Sequence, residues 1–188
     1  MNRSSRMQSP ALLSLMLVAG CGYNTIQTLD ERVNQAQGQI QTQLQRRSDL
    51  IPNLVETVKG ITKQEDTVFI SIANARARLG GAVQSGNVPE MAAANQQLSQ
   101  GLGRLLAIAE NYPQLQSSQN FRQLQEQLEG TENRVAVARQ DYNTAVGEYN
   151  SYIRRFPYNL TAKVFGLGTP REYFEAAEGA REAPQVRF

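Results

Sequence analysis

The chain has 188 residues, with 19 Lys and Arg against 17 Asp and Glu, a single Cys, and neither His nor Trp. The missing histidine removes the commonest general base and metal ligand, and one cysteine cannot form an internal disulfide. A formal charge of +2 and 40% hydrophobic residues, rich in Ala, Leu, Gln and Glu, fit one all-α domain large enough to bury a core.

Residues 1–20 read as a secretory signal. Arg3 and Arg6 form a basic start without any acid, and Ala11 to Val18 form a short apolar run. That run is too short to span about 30 Å of hydrocarbon, which takes roughly 20 apolar residues. It ends in Val18-Ala19-Gly20-Cys21, which resembles a bacterial lipobox with Cys21 as the acylated first residue of the mature chain. A buried or reactive thiol, a cleaved signal without lipid, and an uncleaved membrane anchor are the competing readings. Without Arg3 and Arg6 the count falls from 19 basic side chains to 17, equal to the 17 acids. A neutral mature domain lacks the basic face of a nucleic-acid binder.

Residues 21–28 are expected to form a lipidated tether, followed by a helical domain over 29–157. Its first helix begins near Thr28 or Leu29 and keeps apolar phase through Val33, Ala36, Ile40, Leu44, Ile51, Leu54 and Val58. Because the phase holds on both sides of Pro52, the spacing predicts one kinked helix rather than a chain reversal. The glutamines from Gln35 to Gln45 read as a solvated face of it. A second helix runs from about Thr62 to Leu79 or one turn beyond, with Val68, Ile72, Ala75 and Leu79 inward. A third starts at an Asn87 cap with Pro89 and Glu90 behind it, and stops before Tyr112-Pro113. The fourth begins after Ser117-Ser118 and carries Phe121, Leu128, Val135, Ala138, Tyr142, Val146, Tyr149 and Ile153 towards Phe156-Pro157. Four helices on short connections predict an antiparallel four-helix bundle. The tail, 158–188, is expected to fold back through Phe165, Tyr173, Phe174 and Phe188, with a short helix at Thr169–Glu172.

The segments RRSDLIPNLVETVKG (46–60), LLAIAENYPQLQ (105–116), NFRQLQEQLEGTENRVAVARQDYN (120–143) and YNSYIRRFPYNLTAKVFG (149–166) resemble the LemA family. The resemblance implies a membrane-attached, extracytoplasmic helical bundle with no enzymatic activity, no catalytic residues and no cofactor. Many relatives carry a longer N-terminal membrane helix, from which this chain departs with its short apolar run and Cys21. A lipid on Cys21 would replace that helix, and Gly22 behind it is compatible with outer-membrane sorting.

The residues themselves offer little chemistry. No phosphate-binding glycine loop occurs, and the carboxylates Glu126, Glu129 and Glu132 read as a solvated helix face rather than a metal site. Two functions compete. One is a non-catalytic scaffold or adaptor that binds an unidentified envelope protein; the other is a small-molecule or metal sensor using polar groups inside the bundle. Polar residues do fall on the apolar seam. If residues near 26 lie level with those near 156, Arg47 comes within one turn of Glu132, and Asp49 and Arg139 lie nearby. An interhelical network of Arg47, Asp49, Glu132 and Arg139 is therefore expected. With both ends buried, Arg47→Met would strand Glu132 and be the costly change.

Overall fold

In a computed structural model, residues 22–60 and 66–175 are described, and every regular element among them is a helix. The order is α1 (Tyr23–Lys59), α2 (Asp66–Ser85), α3 (Val88–Ala109), α4 (Pro113–Ser117), α5 (Gln119–Tyr152) and α6 (Tyr158–Val164). Two compact units share the long helices α1 and α5. One holds residues 22–35 and 144–171, the other 36–60, 66–143 and 172–175. Cys21, Phe188 and the signal segment lie outside the described residues.

In the larger unit the apolar phase of α1 is buried as the spacing requires, with Ile40, Leu44, Ile51, Leu54 and Val58 at most 1% exposed. The helix continues through Pro52 without a reversal. Hydrogen bonds set its direction against α2. Gln37 and Gln41 of α1 donate to the carbonyls of Gly86 and Val83, at 2.9 and 3.3 Å, while Arg76 donates to Ser48 O at 3.0 Å. The two helices are thus antiparallel. The glutamine tract is more than a solvated face, since two of its amides hold the α2–α3 turn.

That turn closes on Gly86, whose φ of 70° suits glycine. Helix α3 then starts as its sequence directs, with Asn87 Oδ1 accepting from the Glu90 N–H at 3.2 Å. Arg78 of α2 donates to Gln97 of α3 at 3.0 Å. Further along the same pair, Gly101 permits close approach, because a Cβ there would lie 2.9 Å from Ile72 Cγ1. In α2 it is Phe69 that is buried, with Ile72, Ala75, Leu79 and Ala82, whereas Val68 is half-buried. Pro113, expected only to stop α3, also opens the five-residue α4, whose Leu115 is fully buried.

In the smaller unit α1 starts at Tyr23, six residues before Leu29. The expected tether over residues 22–28 is therefore helical once past Gly22. Ile26 extends the apolar phase one step back, is fully buried, and bonds from its N–H to Gly22 O at 2.9 Å. At the other end α5 stops at Tyr152, four residues short of Phe156. The residue before a proline disfavours helical backbone, which ends the pattern early. After Pro157 comes α6, which carries no strong start signal.

The helix expected at Thr169–Glu172 is absent, because side-chain amides of α5 take the backbone groups it would need. Asn150 accepts from the Arg171 N–H at 2.8 Å and donates to its carbonyl at 2.9 Å. Tyr149 Oη donates to Leu167 O at 2.9 Å. In the larger unit the preceding Tyr-Asn pair does the same work: Tyr142 donates to Glu172 O, and Asn143 clamps both backbone groups of Phe174. Of the aromatics expected to fold back, Phe174 is buried. Phe165 meets the Tyr23 ring at a tilt, with centroids 4.7 Å apart, while staying half exposed, and Tyr173 is exposed.

Candidate functional site

Polar groups break into the apolar interior of the larger unit at Arg47 and Ser48, adjacent residues of α1 that are each 5% exposed. Arg47 sits where the three-and-four spacing puts an apolar side chain, so its guanidinium is carried inward by the helix that buries Leu44 and Ile51. Its Nη1 lies 2.7 Å from Glu132 Oε2 of α5 and donates to Asn95 Oδ1 of α3 at 2.6 Å. Three helices meet on this one nitrogen. Its Nε is buried and has no hydrogen-bond partner among the described residues. Burial lowers the Arg47 pKa and the Glu132 charge opposes that shift; an arginine remains charged in any case.

The pair is lopsided. The Arg47 side chain is 6% exposed, whereas that of Glu132 is 49% exposed. Asp49 points away, exposed and bonded to Gln45 at 2.8 Å along its own helix, and Arg139 is exposed. The structure therefore brings together Arg47 and Glu132 of the four residues anticipated on the seam and leaves Asp49 and Arg139 out. Asn95 takes the place of both. A lone asparagine on an otherwise apolar face of α3 was the available signal.

Ser48 is engaged through its backbone. Pro52 has no N–H, so the Ser48 carbonyl four residues earlier loses its helical donor. The Arg76 Nε of α2 supplies the missing hydrogen bond. The helix passes through proline with its freed carbonyl satisfied from a neighbour. Ser48, Pro52 and Arg76 line a cleft of about 430 Å³ between α1 and α2, with Ile51, Phe69 and Ile72 as its apolar floor. Lys59 lies over the Phe69 ring at 5.0 Å. Among the described residues no group of three or more Asp, Glu, Cys or His side chains converges to hold a metal.

The LemA family model matches residues 36–188. The chain belongs to the LemA family. It is also 28% identical over 176 residues to the magnetosome proteins MamQ 1 and MamQ 2 of Paramagnetospirillum magneticum, covering 81% of this chain and 64% of theirs. A MamQ of Magnetospirillum gryphiswaldense is 25% identical over 182 residues, covering 84% of this chain and 66% of its own length. This LemA chain thus spans just under two-thirds of the length of those magnetosome relatives. The family match takes in Arg47, Asn95, Glu132, Ser48, Pro52 and Arg76, so the whole polar junction lies within the LemA region.

Proposed function

We propose that this LemA protein is a non-catalytic scaffold or adaptor of the bacterial envelope, a four-helix bundle held on a membrane by an acyl group at Cys21. The observation that carries the reading is the start of α1. The first described helix begins at Tyr23, two residues after the cysteine that closes the Val18–Cys21 run. An anchor placed there holds a rigid helix directly, without a linker. Among the described residues no helix is long and apolar enough to cross a membrane. The likeness to magnetosome proteins supports association with a membrane. In this reading the Arg47 junction fixes the register of α1 against α3 and α5, a role buried ion pairs serve better than they serve stability.

Intact-mass measurement of the protein from its native envelope tests the anchor. The wild-type chain should begin at an acylated Cys21, and Cys21→Ser should leave residues 1–20 in place. An unchanged mature mass in the variant overturns the proposal. In-cell crosslinking should then capture one specific envelope protein. Stoichiometric binding of a metal or small molecule by the purified chain would favour the sensor instead.

A further inference from the structure

Seven large apolar side chains stay exposed among the described residues, and four of them, Phe156, Leu160, Val164 and Phe165, fall within ten residues of one another. Phe156 and Val164 are 78% and 71% exposed. Leu160 and Val164 are four apart on α6 and share a face, while the opposite side buries Thr161 and Ala162. Concentrated exposed apolar surface of this kind marks a contact. Its charge has one sign: from Tyr149 to Arg171 the chain contains Arg154, Arg155, Lys163 and Arg171 and no acid. Arg171 is committed to Asp30 at 2.7 Å, while Arg154, Arg155 and Lys163 are exposed.

The chain that leads back to Cys21 leaves from this same segment. Gly22 lies against the Tyr158 ring, Tyr23 packs at a tilt against Phe165, and Tyr152 stacks on Tyr158 at 4.4 Å. Tyrosines with an apolar body and a polar tip suit the boundary between headgroups and acyl chains. Consecutive Cα atoms are about 3.8 Å apart, so an anchor at Cys21 brings these groups to the bilayer surface.

We infer that the segment Arg154–Phe165, with Tyr23 beside it, is a lipid-docking surface: Phe156, Leu160 and Val164 enter the interfacial layer and Arg154, Arg155 and Lys163 pair with anionic headgroups. The inference rests on the membrane attachment proposed above and adds the surface that orients the protein on it. A second copy of the chain is a poorer occupant, because a two-fold contact would set the three cations against themselves. Lipid phosphates offer the opposite charge, and each cation near an anionic surface is worth about five-fold in partitioning.

The chain contains no Trp, so single Phe156→Trp, Val164→Trp and Val137→Trp variants of the full acylated protein report their own surroundings. Val137 is an exposed control in α5. The probe is vesicles of about three parts phosphatidylcholine to one part anionic phosphatidylglycerol, with lipids brominated near the headgroup end of the acyl chains. The Phe156→Trp and Val164→Trp emissions should shift blue and be quenched several-fold more than that of Val137→Trp. Quenching should weaken on going from 0.1 to 1 M salt, as the screening length falls from about 10 to about 3 Å. If the protein floats with the vesicles but all three variants emit as in water, the docking surface is refuted and the anchor stands. If it does not float at all, the membrane reading fails and this inference with it. A blue shift without vesicles that grows with protein concentration would assign the patch to self-association and overturn the inference.

Discussion

Removing Glu132 should destabilise the protein more than removing Arg47, whereas in a pair buried at both ends either removal would strand a charge. The geometry sets the order. Glu132→Ala leaves the buried Arg47, only 5% exposed as a residue, with Asn95 as its remaining partner among the described residues. Stranding a buried charge costs 3–5 kcal/mol when nothing compensates. Here Asn95 and the open, half-exposed side of the pair reduce that to about 2 kcal/mol, or roughly 4–8 °C in Tm for a chain of this size. Arg47→Met instead takes the charge out of the interior, fills the space with an apolar chain and leaves Glu132 largely in water. Its net effect should stay within about 1 kcal/mol. In the Arg47→Met background Glu132→Ala should change stability little, so the cycle shows a coupling of about 1.5–2 kcal/mol. Urea unfolding of the four proteins, followed by circular dichroism at constant m, measures each corner. A larger loss for Arg47→Met than for Glu132→Ala, or strictly additive losses, would refute the reasoning.

Arg76→Met should cost about 1 kcal/mol by leaving Ser48 O without a donor, and Pro52→Ala should abolish that penalty by restoring the helical N–H. Equal losses in both backgrounds, measured by urea unfolding, would show that the Arg76 bond to Ser48 carries no weight. Asn150→Ala removes both bonds to the Arg171 backbone, and Asn143→Ala both bonds to Phe174. Amide hydrogen exchange should quicken at Arg171 in the first variant and at Phe174 in the second, because each clamp acts on its own residue. Tyr149 has its pKa raised by burial and, to a smaller degree, by the Asp30 charge, with Arg171 opposing. A tyrosine held neutral in the fold contributes stability that is complete below its unfolded pKa near 10 and is lost as pH rises through the higher folded value. Tyr149→Phe should flatten the stability profile above pH 10, and an unchanged slope would remove Tyr149 as its source.

Much of this molecule follows from apolar spacing along the chain. The steps of three and four from Leu29 to Val58 and from Phe121 to Ile153 determine α1 and α5, the passage through Pro52, and the burial of Arg47, since a helix carries every residue in phase inward whatever its polarity. The cap at Asn87 is equally local, because its bond to the Glu90 N–H closes within one turn. Partner choice lies beyond any such pattern. Asn95, Arg76 and the Gln37–Gly86 bond join residues from 28 to 49 positions apart, and no periodicity within one helix says which polar side chain of another will face it. Asp49 and Arg139 lie at the level of the junction along their helices, yet both are exposed to solvent, because level along the axis does not settle which face a side chain takes. The tail is the sharpest case. Thr169-Pro170-Arg171-Glu172 carries a local helix signal, yet the amides of Asn150 and Asn143 hold the backbone out of a helix, and two bonds from each outweigh the propensity of one short turn.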